Sequence, residues 1–599
     1  MGAFQHSLLV AAPLLTLCLA APFTVPFHGR VIGRDAALAA SYDFVVVGGG
    51  PSGLIVANRL TEDADTTVLV IEAGELDQNE DFITIPGYAA GLQPQAAVGT
   101  KYDWNLTYAP QAELNGREVS IPIGKVVGGG TVLNRMSETF TPPSAELVAE
   151  WGIEFDPSAH GDSGYVQSSY PPWVYPSTHN FIRSMQELNI TIPLDHANGE
   201  AVGAYWNTQC LTPDTKERSS GRDGYYDSAE ARPNLHLLTS THVTKLVVEN
   251  STGAVVFSGV EYISAVNGST TATITADIEV ILAAGAIHTP QLLQLSGIGG
   301  SSLLSSLGIQ QVLDLPGVGE NFQDHQRVAV VYSAELALSA ANFTGNATAN
   351  AEALAEYKAQ RTGPYTTGGS NFLAFLPLTT ISNKSAEISA TAAAQDAASF
   401  LPADTDASVV AGYEAQHKIL ERGLTASNIG LMEYIYSDAV VLPGLQHPFS
   451  RGHVRISSTD ALAAPVVTNG WLSNPLDLSL MLEGIKFART IMQTAAQQEL
   501  NPAELVPGAA VQSDADLEAF VKDNLDTLYH PAGTAVMMKQ EEGGVVDTSL
   551  KVYGTANLRI VDTSIFPLLP ATHIQSTVFA VAEKAADIIK KDNEIDLCA

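Results

Sequence analysis

Cysteine is nearly absent: 599 residues contain three, Cys18, Cys210 and Cys598. No CxxC pair or metal-ligand spacing can be drawn from them, which excludes a cysteine-based metal centre and a disulfide scaffold. If Cys18 leaves with a leader, the other two allow one disulfide or two free thiols. Basic residues are also scarce, 30 against 64 acidic ones, for a formal charge of −34. Phosphates would be repelled at long range, so nucleic acid and anionic membrane surfaces are excluded as partners, and a neutral or small substrate is favoured. Charged residues make up only 16% and apolar ones 45%, which excludes a disordered chain. The apolar run at residues 7–20 is too short to span a bilayer. It ends in Leu19-Ala20-Ala21, small residues suited to cleavage, so residues 1–20 read as a secretory signal peptide, although no Lys or Arg precedes the run. A buried N-terminal helix is the competing reading. Seven Asn-x-Ser/Thr sequons, at Asn105, Asn189, Asn250, Asn267, Asn342, Asn346 and Asn383, agree with a secreted glycoprotein. No repeat of fixed period is visible, and the length allows more than one core.

What is present begins at Tyr42-Asp-Phe-Val-Val-Val-Gly48-Gly49-Gly50-Pro51-Ser52-Gly53. Residues 43–47 form a β-branched run that reads as a buried strand. Gly48, Gly50 and Gly53 then supply a tight turn, a close approach to a pyrophosphate and tight helix packing. A helix opening near Ser52 points its positive end at that pyrophosphate. The next strand, Thr67-Val-Leu-Val-Ile71, ends at Glu72, whose carboxylate can accept hydrogen bonds from a ribose hydroxyl. Strand, glycines, helix, strand and acid stand in the order of a dinucleotide site. This order does not separate FAD from NAD.

Nucleotide-type patterns recur in three separated places. A hairpin is expected from residues 243–248 and 255–263, with its turn at 250–253. A strand at 278–283 leads into Gly285 and a helix expected to begin near Pro290, a good first-turn residue. A third strand at 558–561 precedes an Ala-rich helix at 578–590. Residues 328–524 have a different, Ala/Ser/Thr-rich texture with embedded strands such as 452–457. The segment His160-Gly-Asp-Ser163-Gly164 contains a serine-protease-like tetrapeptide but lacks the histidine context that a triad needs.

Three further stretches carry a resemblance. They are Tyr102-Asp-Trp-Asn with Gly124-Lys-Val-Val-Gly128-Gly-Gly130-Thr-Val-Leu-Asn134; Gly285-Ala-Ile-His-Thr-Pro290-Gln-Leu-Leu-Gln-Leu-Ser296-Gly297-Ile-Gly299; and the C-terminal set Tyr529-His530-Pro-Ala-Gly533-Thr534, Gly544-Val-Val-Asp547, Leu558-Arg-Ile-Val-Asp562 and Leu569-Pro-Ala-Thr-His573-Ile-Gln575. Together they resemble the glucose-methanol-choline (GMC) oxidoreductase family, and within it the fungal aryl-alcohol oxidase and glucose dehydrogenase-like branch. The resemblance implies an α/β fold, α+β overall: a discontinuous, Rossmann-like FAD-binding domain (40–165, 236–327 and 525–599) and a substrate domain with a mostly antiparallel sheet and helices (166–235 and 328–524). FAD is the implied cofactor. Gly48, Gly50, Pro51, Ser52 and Gly53 would surround its pyrophosphate, with Glu72 and Ala73 at the adenosine ribose and Val243 at the adenine. Gly130, Asn134, Asp562, Thr563 and Gln575 would lie by the flavin. Flavin accepts a hydride but not the hydroxyl proton, so a base is needed; the resemblance gives that role to His530, with His573 holding the substrate oxygen. His325, in Gly319-Glu-Asn-Phe-Gln-Asp-His325, is assigned to packing. The implied partners are a primary alcohol or sugar and an oxygen or quinone-like acceptor.

The text departs from that pattern after Asn134, where Arg135-Met-Ser-Glu-Thr-Phe-Thr-Pro142 follows at once. In relatives a block of several tens of residues, contributing to the flavin lid, intervenes. A dropped exon in the gene model and a shortened paralogue both account for this, and the abrupt join favours the first. Hydroxynitrile-lyase chemistry on the same fold and a catalytically impaired chain are the rival functions.

Overall fold

The computed structural model describes residues 38–133, 139–249, 253–264, 271–369 and 371–595. Its first sheet is built around Ser41–Val47, whose residues 44–47 are buried on both faces, as a β-branched run between two helical layers must be. Val68–Ile71 lies parallel on one side and Thr271–Leu282 parallel on the other; Leu235–Leu238 extends the first side. The long strand Thr271–Leu282 has two partners along its outer edge. Its first half pairs antiparallel with Val256–Ser264, itself paired with Thr241–Glu249, and its last residues pair parallel with Leu558–Ile560. The register sets Val47 beside both Ile71 and Leu282, and Leu282 beside Ile560. Parallel strands therefore end together, and in such sheets ligands bind beyond those carboxyl ends.

Helices Pro51–Leu60 and Gln575–Asp592 pack together on this sheet. The second helix buries Val578, Phe579, Ala582, Ala585, Ala586 and Ile589, a one-face spacing that its Ala-rich sequence suits. Each fully buried Val, Ile or Phe is worth about 1.5–3 kcal/mol.

The second sheet is antiparallel throughout. Its path runs Ala503–Val506, Val330–Ser333, Val440–Leu445, Met432–Ser437, Phe372–Leu376 and Gly203–Trp206, with Gln326–Arg327 attached at Val440–Leu445 and Asp526–Thr527 attached in turn to Gln326–Arg327. Asp438 and Ala439 join two of these strands with φ of +49° and +64°, the left-handed pair that a two-residue hairpin turn requires. A separate hydrophobic core surrounds this sheet, backed by helix Pro475–Met492. The strand expected at 452–457 is shorter, His453–Arg455, and pairs with Val466–Thr468 outside both sheets.

One expectation is corrected. Pro290 is not in a first turn; it lies inside helix Gly285–Leu295. The Ala286 carbonyl, which would lose its i+4 partner to proline, accepts instead from the Thr534 hydroxyl at 2.6 Å. Upstream, the Asp562 carboxylate accepts from Gly285 N and Thr289 Oγ1, at 2.9 and 2.6 Å, and so holds the extra turn. The turn expected at 250–253 falls largely outside the described residues, as do Cys598 and the leader.

The second and third of the sequence-distant pieces of this domain meet at one buried ion pair. Arg559, fully buried, donates to Glu279 through Nε and Nη2 at 2.6 and 3.0 Å, and Nη2 also reaches Asp592 at 2.7 Å. Arg559→Met leaves Glu279 without its guanidinium and is expected to lower unfolding free energy by about 3–5 kcal/mol, whereas Arg559→Met with Glu279→Leu costs much less. Chemical denaturation of the two variants distinguishes these outcomes.

Candidate functional site

A cavity of about 810 Å³ opens beyond the strand ends and runs from the glycine turn to the second sheet. Its phosphate end is a place where side chains cannot go. A Cβ on Gly48, at φ +109°, would lie 2.4 Å from the Ala283 carbonyl oxygen, and one on Gly53 would lie 2.0 Å from the Gly48 oxygen. Gly53 is therefore the packing contact between turn and helix rather than part of the wall, while Gly48, Gly50, Pro51 and Ser52 line the cavity. Gly130 also lines it, with open space where a Cβ would point.

At one end stand Glu72, Ala73 and Val243. The Glu72 carboxylate accepts from Gly49 N and Gly74 N, each at 2.7 Å. Burial pushes its pKa up, and these two N–H groups and Lys125 pull it back. Beside it lies an aromatic wall that sequence reasoning missed: Trp104 packs on His288 with ring centroids 4.1 Å apart and on His242 at 5.8 Å. Burial drives His288 to about 4, so that wall is uncharged near neutral pH.

At the other end the structure brings together Asp562, Thr563, Gln575, His530 and His573. His530 follows Tyr529, a residue at φ +67°, and its backbone N–H donates to Asp324 Oδ1 at 2.8 Å. Asp324 Oδ2 accepts from Tyr108 Oη and Thr527 Oγ1, both at 2.5 Å, and burial lifts this carboxyl to about 6. His325, read as a structural or packing residue, is completely buried behind the cavity wall and also contacts the site: its Nδ1 lies 2.8 Å from Nδ1 of His530. Burial, then the positive charge of His573, pushes His530 well below the usual histidine range; burial, then His530, does the same to His325. His573 sits with its ring centroid 5.5 Å from that of His530 and donates Nε2–H to Glu433 Oε1 at 2.7 Å. Glu433 is completely buried. Its signal was the single acid in the apolar strand Met432–Ser437, which no motif marks. Asn134 lies outside the described residues. Ser163 is exposed, and His160 beside it is taken up by Asp195 at 2.6 Å, which leaves the protease-like tetrapeptide without a triad.

Residues 42–327 and 448–582 match the two GMC oxidoreductase domains. The chain is 36% identical to a dehydrogenase, xptC, of Emericella nidulans, over 96% of this chain and 97% of that one. The chain belongs to the GMC oxidoreductase family. It is also similar to solved structures of an FAD-dependent oxidoreductase from Chaetomium thermophilum (34% identity, TM-score 0.88) and of a fungal aryl-alcohol oxidase (34% identity, TM-score 0.85), in each case over 93% of this chain and 100% of the other. The alignment with the Emericella dehydrogenase spans 623 positions, more than the 599 residues of this GMC oxidoreductase, so that relative carries segments absent here.

FAD is the cofactor of this fold, and the residues present fit it. The crowded turn at Gly48–Gly53 leaves backbone N–H groups and a helix N-terminus for a diphosphate. Glu72 has lone pairs left for ribose hydroxyls, and the neutral aromatic wall suits a purine. Gly53→Ala forces the turn off its helix, and the purified variant is expected to retain FAD at least about tenfold less well than the parent, read from the flavin-to-protein absorbance ratio.

Proposed function

We propose that this GMC oxidoreductase oxidises the CH–OH group of a small primary alcohol, with His530 as the base. The observation that carries the reading is the pair of histidines, one neutral and one held against a buried carboxylate, at the end of a cavity that begins at the diphosphate turn. FAD, when bound, supplies the two-electron acceptor for hydride. The protein must then deal with the hydroxyl proton and the charge left on oxygen.

The tautomers of the two rings are coupled by the hydrogen bond between the two Nδ1 atoms. Only one of them can carry hydrogen. For His530 to offer Nε2 as a proton acceptor, its Nδ1–H must donate to His325, which then carries its own proton on Nε2. His325 resists protonation because it is buried and faces other histidines, which leaves His530 as the member of the pair that meets the cavity. His573 is placed differently. Its Nε2 is held against Glu433, which orients the ring toward the cavity, and a proton donated from that ring would oppose the negative charge that develops as the hydroxyl is deprotonated. Environments that push two like groups apart are how acid and base roles are divided.

The wall on the substrate side is formed by Leu373, Ile435, Val440, Leu442 and Leu528 with Tyr529. Such a surface favours an aryl or alkyl alcohol over a sugar, whose hydroxyls would go unpaired. The proposed electron acceptor is oxygen or a quinone-like compound, and the proposed location is extracellular. All five sequon asparagines among the described residues, at 105, 189, 342, 346 and 383, are exposed, as glycosylation needs.

Anaerobic addition of aryl and alkyl primary alcohols is expected to bleach the flavin band, with aldoses much less effective; an unbleached flavin across the panel would defeat the assignment. His530→Asn is expected to lower kcat by about 10²–10⁴-fold while FAD stays bound. Because the His530 pKa is depressed, its proton-free form persists below pH 6.5, so the acid limb of kcat/KM should fall below that value. A limb at 6.5 or above would assign the base to another group.

A further inference from the structure

Arg218 is a buried charge on the cavity wall that the chemistry above does not use. It is 8% exposed and lines the cavity. Its Nε donates to the Ile83 carbonyl at 2.8 Å, and its backbone N–H to Thr84 O at 2.8 Å. Among the described residues no carboxylate lies within ion-pair distance of its two η nitrogens. The nearby acids are engaged elsewhere: Asp77 pairs with Arg222 at 2.5 Å, and Asp223 accepts from Ser220 N and Oγ. Arg327, the other Lys or Arg side chain on the described wall, is paired with Asp526 at 2.7 Å. Burial pulls the Arg218 pKa down, and Cys210, Asp223 and Asp77 only partly offset this.

Its position is defined from two sides. Ser219 N donates to the Cys210 carbonyl at 2.9 Å, and Cys210 Sγ accepts from Gln575 Nε2 at 3.2 Å. Gly221, three residues on, packs so closely that a Cβ there would meet Pro51 Cα at 3.4 Å. The segment that follows Arg218 therefore runs from the Gln575 end of the cavity to the diphosphate turn, and Arg218 lines the cavity at its start. An isolated cation withdrawn from water is costly unless it meets an anion. The free edge of a guanidinium, with two parallel N–H groups, matches the two oxygens of a carboxylate or phosphate.

We propose that Arg218 is an oxyanion-binding residue of this cavity, gripping through its η nitrogens either the diphosphate of FAD or the carboxylate of an acidic substrate. In an acidic protein this cation is the local feature that would let a negatively charged group enter. The carboxylate source rests on the cavity being the substrate site; the diphosphate source does not.

The test compares holoenzyme carrying Arg218→Gln, Arg218→Met or Arg218→Lys with the parent. Two quantities are read: the rate of FAD release, from the fluorescence of freed flavin, and the affinity for benzoate against its uncharged isostere benzamide, from perturbation of the flavin spectrum. A diphosphate partner predicts release accelerated about tenfold or more in the Gln and Met variants, with Lys intermediate and the benzoate preference unchanged. A carboxylate partner predicts that the parent prefers benzoate by about tenfold or more and that Gln and Met abolish the preference, with release unchanged. The proposal is overturned if both quantities stay within about twofold of the parent. It is equally overturned if Lys and Gln release FAD equally fast with equal loss of thermal stability, since charge would then be irrelevant and Arg218 only a clamp on residues 83–84. Should one neutral variant not fold, the other replaces it; the Lys variant and the parent's benzoate preference are measured in either case.

Discussion

The Ala283 carbonyl oxygen occupies the space that a side chain on Gly48 would need, and the Gly48 oxygen does the same to Gly53. This double close approach holds the turn after one strand against the end of its neighbour, and the site is laid out from that crossing. Because residues 47, 71, 282 and 560 end at one level, the segments that follow them converge: the turn itself, Glu72, the helix from Gly285, and Asp562. Asp562 ties that helix to the last strand, and the Thr534 hydroxyl covers the carbonyl that Pro290 leaves open. Thr534 lies four residues beyond His530, so the repair of a helix defect and the placement of the proposed base share one segment.

Electrostatically the site is the reverse of the surface. The chain is strongly acidic overall, yet the cavity end is built from histidines kept neutral by burial and by one another. His447 belongs to the same set: it donates Nδ1–H to the Leu569 carbonyl at 3.0 Å and is driven to about 4. Carboxylates are admitted where hydrogen bonds compensate them, as at Asp324 with its three donors and at Glu433 with His573 and Gln446.

Features that depend on short-range pattern were legible in the sequence. The β-branched run at 43–47, the spaced glycines and Glu72 lie where local rules put them, because a turn that must approach a phosphate permits few residue types, whereas His530 and His573 were singled out by the family resemblance alone. Features that depend on what another part of the chain supplies were not. The helix around Pro290 begins earlier than its own sequence suggests because Asp562 and Thr534, more than two hundred residues away, satisfy its backbone. His325 read as packing because nothing near it in sequence reveals that residue 530 would face it. Glu433 sits in an apolar strand with no motif, and its partner is 140 residues distant. Trp104 and His288 come from separate motifs, and only the fold sets their rings together.

The first sheet also constrains when the protein can become itself. Its inner strand Thr271–Leu282 remains half-edged until Leu558–Ile560 arrives, and helix Gln575–Asp592 covers the helix Pro51–Leu60 that was made near the beginning. Contacts between such distant residues are slow to form. A nascent chain carries an uncovered apolar face through most of its synthesis, and the segment that finally closes it is the one bearing His573. Completion of the core and arrival of His573 at the cavity are thus a single event, so a chain that ends too early is left with an open cavity end and exposed to aggregation.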